Sequence, residues 1–377
     1  MLQSFMRHIA GFDWLLQGAV FLLLGLGLIS LFSLASVSSF PFFQRQLLWV
    51  GIGVTSMLVG SSIDFRIFRT QTFAVLFAYV LTFLLLVVVL LGHLRVRGVE
   101  SWISIGGFTL QPVEPAKLAL IILLAKFFSK RHIEIYRIQH LIVSGLYAAL
   151  PISLVLLQPD LGSAIVLMSI WVIIVIFSGM KLRHFFILLF LSVFMSVAVW
   201  NCGLHSYQKT RITSFLNPYA DAKGAGYQMI QSMIAIGSGK IWGKGLGYGS
   251  QSHLNFLPEA EADFIFAAYA EEWGFIGVIV LLSLFSLVLW RIIRIGTHAS
   301  DNFSRLYTIG FAALIFVQSF VHLGTNMGIV PITGITLPFV SYGGSSLVVL
   351  LIGVGLLQNI KINSRLIARG YEKDTGF

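Results

Sequence analysis

Long apolar runs recur along the entire 377-residue chain. Each run approaches the roughly 20 residues that an α-helix needs to cross a lipid bilayer. The runs are continuous rather than alternating in polarity, which excludes a porin-like β-barrel. The sequence therefore predicts an all-α integral membrane protein with roughly ten transmembrane helices, near Trp14–Ser36, Gln46–Ile63, Thr72–Gly92, Pro115–Ser129, Leu141–Leu157, Leu161–Gly179, Phe185–Gly203, Phe264–Ile293, Leu306–Gly328 and Gly344–Asn359.

The composition places the same limit on the fold. Hydrophobic residues make up 57% of the chain and charged residues 11%, with a mean hydropathy of +0.89. A soluble domain carries roughly 25% charged residues. We therefore expect one polytopic membrane domain over residues 1–377, whose 36 glycines let helices approach one another closely.

Lysine and arginine are distributed unevenly between the two sides of the predicted bundle. With the N-terminus inside, sixteen of the 25 basic residues fall in cytoplasmic segments, as the positive-inside rule requires. Both termini are therefore predicted to be cytoplasmic. Because this topology explains most of the formal net charge of +10, no nucleic-acid partner is expected.

One predicted extracytoplasmic loop, residues 204–262, is far longer than the other connections. Loops of this length are usually functional or disordered, and its many aromatic and aliphatic residues argue against disorder. The run Tyr227–Ile236 predicts a short helix at the membrane surface, and a glycine-rich stretch follows it. The loop is therefore the predicted location of function.

The glycine-rich stretch GSGKIWGKG does not have the spacing of a nucleotide-binding loop. Such a loop needs Gly, four residues, and then Gly-Lys-Ser/Thr, but Ser238 occupies the first position and Gly245 follows Lys244. We therefore expect no nucleotide. Backbone N–H groups beside Lys240 and Lys244 suit an anion such as a lipid-linked diphosphate, and a flexible loop with solvated lysines is the alternative. The single cysteine, Cys202, offers neither a disulfide nor a thiolate metal motif.

The stretch LPEAEADF places Glu259, Glu261 and Asp263 at the start of a long apolar run. If Asp263 opens a helix, Asp263 and Glu271 share one face and Glu272 points away from it. Acidic residues also favour a helix N-terminus, so simple capping is the alternative. Ionisable groups near lipid usually mark function, and we interpret Asp263 as a general base acting on a polar substrate.

Other polar residues lie at predicted span edges on the same side. In QPVEPAKL, Glu114 and Lys117 could pair across one helical turn, and Pro115 suits the first turn. In QPDLGSA, Asp160 could cap the next helix. PITGITLPFVSYGGSS, residues 331–346, is a Pro- and Gly-interrupted segment before the last span. Each motif alone is more often structural than catalytic, but all of them converge on one side.

These motifs, in this order, resemble the SEDS family (shape, elongation, division and sporulation), which includes RodA and FtsW. The matching pieces are QPVEPAKL, QPDLGSA, YQKTRITSFLNP, GAGYQMIQSMIAIGSGKIWGKG, FLPEAEADFIFA, AEEWG and LPFVSYGGSS, between about residues 100 and 346. The N-terminal AGFDW and the GAGYQMIQS stretch look more like RodA than FtsW.

The resemblance implies a ten-span helical bundle in the bacterial cytoplasmic membrane that polymerises peptidoglycan glycan strands from lipid II. By resemblance, Asp263 accepts the proton of the acceptor GlcNAc 4-hydroxyl as it attacks C1 of the donor MurNAc. Undecaprenyl diphosphate then leaves with inversion at that carbon. Lys117, Arg211, Lys240 and Lys244 are the candidates for the diphosphate, and the further substrate-binding candidates are Glu114, Asp160, Gln228, Gln231, Glu259 and Ser341.

The resemblance also implies a partner and an ion. The partner is a class B penicillin-binding protein, a single-span transpeptidase that crosslinks the new strand. A divalent cation, Mg or Mn, could assist at the diphosphate. Neither the process served (elongation, division or sporulation) nor the individual roles of Glu259, Glu261, Glu271 and Glu272 follow from the sequence.

The chain departs from the family pattern at four positions. Ser101 stands before Trp102 where an Arg is usual, and Val113 replaces the Ser of QPSE. Ala262 precedes Asp263 where a Thr is usual, and His322 stands where Asn is common. None of these changes removes the proposed base, but the missing Arg weakens any role for the first outer loop in substrate binding.

Two other functions remain as alternatives. A lipid II flippase is compatible with the broken segment 331–346, although the charges gather at one side rather than along a deep path. The other alternative is a non-catalytic scaffold for a cell-wall complex, but this function does not explain the acidic cluster at 259–263.

Overall fold

The computed structural model is a bundle of α-helices with one small β-hairpin. It describes residues 9–35, 41–92, 102–105, 108–130, 138–181, 183–188, 190, 201, 206–222, 224 and 226–374. The helices are α1 Trp14–Leu34, α2 Phe42–Ser62, α3 Arg66–Thr70, α4 Thr72–Gly92, α5 Val113–Ser129, α6 Ile138–Leu157, α7 Leu161–Phe177, α8 Ser206–Leu216, α9 Tyr227–Ser238, α10 Ser250–His253, α11 Ile265–Thr297, α12 Asn302–Asn326 and α13 Gly344–Asp374, with a 3-10 helix at Pro218–Asp221.

The β-hairpin consists of β1 Ile103–Ile105 and β2 Phe108–Leu110, which pair antiparallel with Ser104 opposite Thr109. The Ser345 hydroxyl group joins it to the start of α13. That group donates to the carbonyl of Thr109 at 3.1 Å and accepts from the backbone N–H of Gln111 at 3.1 Å.

The all-α membrane fold predicted from the apolar runs is confirmed. Among the described helices, α1, α4, α6, α11, α12 and the Gly344–Ser364 part of α13 are long and apolar enough to cross a membrane. Each predicted span except Phe185–Gly203 coincides with a described helix. Most boundaries shift by a few residues, but α13 continues past the predicted end at Asn359 to Asp374. Most of Phe185–Gly203 lies outside the described residues, so the number of ten spans and their orientation stay predictions.

The core centres on α5, which is buried along almost its whole length. Helices α4, α7 and α12 pack around it, α13 packs along α2, and α11 packs against α12 and α1. The α2–α13 contact depends on Gly355, because a β-carbon there would overlap the backbone carbonyl of Met57. Close approach through small residues is the usual basis of helix packing in lipid.

A buried carboxylate joins three helices at the end of the bundle opposite the 204–262 loop. Asp13 caps α1 by accepting from the N–H of Leu16 at 3.1 Å, and it forms ion pairs with Arg291 of α11 and, at 2.8 Å, with Lys361 of α13. Burial alone would raise the pKa of Asp13, but the hydrogen bonds from Arg291 and Lys361 lower it from 3.8 to about 2.

Replacing this carboxylate should weaken the fold. We expect Asp13→Asn to lower the free energy of unfolding by about 3–5 kcal/mol, because two cations lose their buried partner. Since the folded-state pKa lies below the unfolded value of 3.8, the stabilisation is complete above pH 3.8 and disappears as the pH falls through about 2. Thermal unfolding in detergent between pH 2 and 7 measures both effects.

The matched control is Asp64→Asn. Asp64 is exposed and accepts one local hydrogen bond from the N–H of Arg66. If Asp13→Asn loses no more stability than the control, or if its loss does not change with pH, the Asp13 ion pairs do not stabilise the fold as expected.

Candidate active site

Asp263 lies in a tight turn just before α11. The carbonyl of Glu259 accepts the N–H groups of Ala262, Asp263 and Phe264 at 3.1, 3.1 and 3.3 Å, and Glu259 adopts a φ of +52°. The helix itself begins at Ile265, with Phe264 as its N-cap. The prediction that Asp263 opens this helix is therefore wrong, because the turn around the Glu259 carbonyl holds Asp263 outside it.

Two other parts of the chain fix the backbone of this turn. Asn326, the last residue of α12, donates from its Nδ2 to the carbonyl of Asp263 at 3.0 Å and accepts the N–H of Ala267 at 3.1 Å. Ser341 donates from its hydroxyl group to the carbonyl of Ala262 at 2.8 Å. The Asp263 side chain is half-buried on this fixed backbone.

The segment between α12 and α13 passes beside Asp263. As its prolines and glycines predict, residues 331–343 are not helical. A β-carbon added to Gly334 would lie 3.7 Å from Oδ2 of Asp263, and Gly334 has a φ of +70°. A side chain at this position would therefore stand against the carboxylate in a strained backbone conformation.

His322 holds the same segment from the bundle interior. Its Nδ1 lies 2.7 Å from the carbonyl of Ile335. Because a carbonyl only accepts, Nδ1 carries the hydrogen and Nε2 is the acceptor. The sequence identified His322 only as a departure from the family pattern. The structure shows that its partner, Ile335, directly follows Gly334, the glycine beside Asp263.

The predicted pair of Glu114 and Lys117 is confirmed. Lys117 Nζ donates to Glu114 Oε1 at 2.7 Å near the start of α5, and the Lys117 side chain is only 2% exposed. Pro115 lies in the first turn of this helix, also as predicted. A charged pair buried to this degree requires a close partner for each charge.

Asp160 caps α7, which confirms the capping interpretation of QPDLGSA. Its carboxylate accepts the N–H of Ser163 at 2.9 Å and the hydroxyl group of Ser163 at 2.7 Å. Burial raises the pKa of Asp160, while the Ser163 hydrogen bonds and the charge of Lys117 oppose that rise. The charges of Lys117 and Glu114 act on this half-buried carboxyl group in opposite directions.

Lys244 forms an ion pair with a carboxylate of α11. Its Nζ lies 2.8 Å from Oε1 of Glu271 and 2.7 Å from Oγ of Ser250. Glu271 also accepts the N–H groups of Gln251 and Ser252 at 2.9 and 3.1 Å. Glu271, which is fully buried, thus has a close cationic partner and holds the glycine-rich part of the loop against α11.

Glu272 makes a second set of bonds to the loop and to α1. It accepts from the hydroxyl group of Ser33, from the N–H of Gly247 at 3.1 Å, and from Nε2 of His253 at 3.0 Å. Neither Ser33 nor His253 was predicted from the sequence. Ser33 lies 239 residues from Glu272, and His253 lies 19 residues away in the short helix α10, so no helical spacing links either to Glu272. These bonds show that Glu271 and Glu272 bind the loop to α11 and α1.

The remaining candidates lie in different settings. Lys240 is exposed at a φ of +49°. Gln228 and Gln231 are half-buried on α9, a helix that confirms the prediction for Tyr227–Ile236 and extends to Ser238. The backbone of Arg211 belongs to α8, but its side chain lies outside the described residues, as does Ser101.

A family model with the description "Cell cycle protein", covering FtsW, RodA and SpoVE, matches residues 13–366 of the chain. Stage V sporulation protein E of Bacillus subtilis is 40% identical over 366 residues, with 94% of this chain and 98% of that protein covered. Peptidoglycan glycosyltransferase MrdB of Escherichia coli K12 is 34% identical, with 89% of this chain and 90% of that protein covered.

A solved structure shows the same similarity in three dimensions. It is described as the structural coordination of polymerization and crosslinking by a peptidoglycan synthase complex. One of its chains aligns with a TM-score of 0.79 at 33% identity, with 94% of this chain and 98% of that chain covered. These relatives do not single out one branch of the family, so the nearer resemblance to RodA stays a prediction.

The hydroxyl group of Ser341 offers a test of how the site is held. It accepts from the N–H of Leu337 and donates to the carbonyl of Ala262, both at 2.8 Å. We expect Ser341→Ala to speed amide hydrogen exchange in residues 257–264 and to cost about 1–3 kcal/mol, because two buried backbone groups lose their partner. Hydrogen exchange followed by mass spectrometry measures the change.

Ser345→Ala is the matched control. Ser345 likewise accepts one N–H and donates to one carbonyl, but its partners are Gln111, just after the β-hairpin, and Thr109 of β2. Equal exchange rates at 257–264 in the wild type and in Ser341→Ala would show that this hydroxyl group does not hold the turn.

Proposed function

This chain belongs to the family of FtsW, RodA and SpoVE cell cycle proteins, and from that membership we propose that it builds glycan strands from lipid II with Asp263 as general base. It is a peptidoglycan glycosyltransferase and a multi-pass protein of the bacterial cytoplasmic membrane. The flippase interpretation is not favoured over this one, since the relatives carry glycosyltransferase names.

The proposed reaction joins two lipid-linked disaccharides at the outer face of the membrane. The 4-hydroxyl oxygen of the acceptor GlcNAc attacks C1 of the donor MurNAc, and the bond from C1 to the diphosphate breaks with inversion. Asp263 takes the hydroxyl proton, and undecaprenyl diphosphate leaves as the anion. Proton transfer to a positioned carboxylate contributes about 10²–10⁴ to the rate of such a reaction.

The observation that carries this assignment is the fixed and half-buried position of Asp263. Its turn is bound by Asn326 of α12 and by Ser341 of the 331–343 segment, and its carboxylate lies beside Gly334. A base that is held in place before the substrate arrives loses little entropy in the reaction. Half-burial leaves the carboxylate within reach of a substrate hydroxyl group.

Three lysines and one arginine are proposed to stabilise the negative charge of the leaving diphosphate. Lys240 is exposed, and Arg211 belongs to the same long loop, so both suit a first contact with the diphosphate. Lys117 and Lys244 are already paired with Glu114 and Glu271, so each must share or exchange its partner to bind an anion. Cations aimed at developing negative charge are among the strongest contributions to catalysis.

A metal held mainly by protein ligands does not fit this site. Among the described residues, no three His, Cys, Asp or Glu side chains converge in a way that would hold an ion. Mg²⁺ commonly needs only one or two carboxylates when substrate phosphates supply the other oxygens. We therefore propose that a divalent cation, Mg or Mn, arrives with the diphosphate, and no step of the proposed reaction passes through it.

The partner that we propose is a class B penicillin-binding protein, which crosslinks the strand as it is made. The supporting observation is the similarity over 94% of this chain to a chain of a peptidoglycan synthase complex that couples polymerization and crosslinking. A polymerase without a crosslinking partner would release uncrosslinked strands.

The assignment of Asp263 is tested by polymerisation of labelled lipid II. The protein is purified with its cognate transpeptidase, which must have no polymerase domain of its own. We expect Asp263→Ala and the isosteric Asp263→Asn to lower the rate of glycan formation by about 10²–10⁴, while unfolding temperatures stay close to that of the wild type.

Asp221→Asn is the matched control, because Asp221 is an exposed carboxylate of the same long loop. We expect it to polymerise at the wild-type rate. Equal polymerisation by wild type and Asp263→Ala would rule out the general base and direct attention to Glu259 or Glu114. If no variant makes strands, a lipid II flipping assay in vesicles decides for or against the transporter.

The Glu114–Lys117 pair is tested by a double variant. Lys117→Met alone should cost about 3–5 kcal/mol of stability, because it leaves the Glu114 carboxylate buried without its cation. Adding Glu114→Gln removes that charge, so most of the stability should return. If the pair also serves the reaction, polymerisation in the double variant stays about 10²–10³ below wild type. If the double variant recovers both stability and polymerisation, the role of the pair is purely structural.

A further inference from the structure

We propose that the turn formed by residues 240–248, called here the interfacial turn, is inserted into the bilayer between the lipid headgroups and the acyl chains. The partner is therefore the lipid itself. The inference rests on the pairing of this turn with a break in α11 and on the side chains that it presents. It does not depend on the reaction that the protein catalyses.

Helix α11 is broken at Gly274. This residue has a φ of +66° and a ψ of −164°, far from helical values, in the middle of an otherwise continuous helix. A break of this kind removes the helical bonds that would join the N–H groups of Phe275 and Ile276 to the carbonyls of Glu271 and Glu272. Unpaired backbone groups inside a membrane are strongly destabilising.

The interfacial turn supplies partners for all four of these groups. Its carbonyls at Lys240 and Ile241 accept the N–H groups of Phe275 and Ile276 at 2.9 and 3.2 Å. Its N–H groups at Lys244 and Gly245 donate to the carbonyls of Glu271 and Glu272, both at 3.0 Å. The turn and the broken helix therefore satisfy each other without water.

Glycines permit this pairing on both sides. A β-carbon at Gly243 would overlap the carbonyl of Glu272, and one at Gly274 would overlap the backbone nitrogen of Gly243. Gly243 also has a φ of +80°. Irregular backbone is tolerated at membrane depth where protein satisfies its polar groups, and this turn meets that condition.

Four side chains of the interfacial turn are hydrophobic and exposed. Trp242 and Tyr248 are 81% and 76% exposed, and Ile241 and Leu246 are also exposed. They adjoin Phe275, which is 59% exposed on α11 and is bonded to the turn. The apolar surface therefore continues directly from a membrane-spanning helix onto the turn.

The types of residue fit the boundary layer of a bilayer. Trp and Tyr concentrate at the interface because each has an apolar body and a polar group. Lys240, at the start of the turn, is exposed and can extend its ammonium group toward lipid phosphates. A protein partner would need no such continuity with the lipid-facing side of α11, so we choose the bilayer as the occupant.

The proposal is tested by spin labelling in nanodiscs of phosphatidylcholine and phosphatidylglycerol. A nitroxide is attached at Trp242→Cys in a Cys202→Ser background, since Cys202 is the only cysteine of the sequence. Collision with oxygen reports contact with lipid, and collision with a nickel chelate reports contact with water. We expect the oxygen-to-nickel ratio at Trp242 to exceed that of a water-exposed position several-fold.

Two labelled positions calibrate the ratio. Ile279→Cys marks a lipid-facing site, because Ile279 is 48% exposed on α11. Tyr219→Cys marks a loop site, because Tyr219 is 73% exposed on the 3-10 helix. A ratio at Trp242 equal to that at Tyr219 would overturn the proposal. A label that is protected from nickel only after the transpeptidase is added would assign the turn to a protein partner and would overturn it as well.

Discussion

The constraint on which the structure depends is that backbone N–H and carbonyl groups need partners wherever water is absent. Regular helices meet this need by themselves, so most of the chain consists of them. The chain leaves helical geometry in two important places, at Gly274 and at residues 331–343. At Gly274, bonds from residues 240–245 replace the missing helical bonds. In residues 331–343, bonds from His322 and to Ala262 supply partners from other parts of the chain.

Buried charged groups also have partners from other segments of the chain. Asp13 is paired with Arg291 and Lys361, and Glu271 is paired with Lys244. Each pair also joins segments that are far apart in the sequence. Buried ion pairs add little net stability but are costly to break, so they fix how helices and loop meet. At Asp263, a distant segment binds the backbone: Asn326 of α12 donates to the Asp263 carbonyl.

The sequence predicted features that depend on neighbouring residues. It did not predict features that depend on contacts between distant segments. Apolar run length predicted the helices, and spacing along one helical turn predicted both the Glu114–Lys117 pair and the Asp160 cap. The position of Asp263 outside α11 could not be predicted, because the turn around the Glu259 carbonyl has no pattern that separates it from a first helical turn. The Lys244–Glu271 pair could not be predicted, because its partners meet only after the loop folds back on α11.

The pairing between the interfacial turn and the broken helix also limits how the loop can change in length. Four backbone bonds join residues 240–245 to residues 271–276 in one register. An insertion or deletion of one residue inside 240–245 would shift that register and leave polar groups of both segments without partners. The exposed 3-10 region at Pro218–Asp221 has no such bonds to α11 among those described. Length variation in related chains is therefore expected before α9 and not after it.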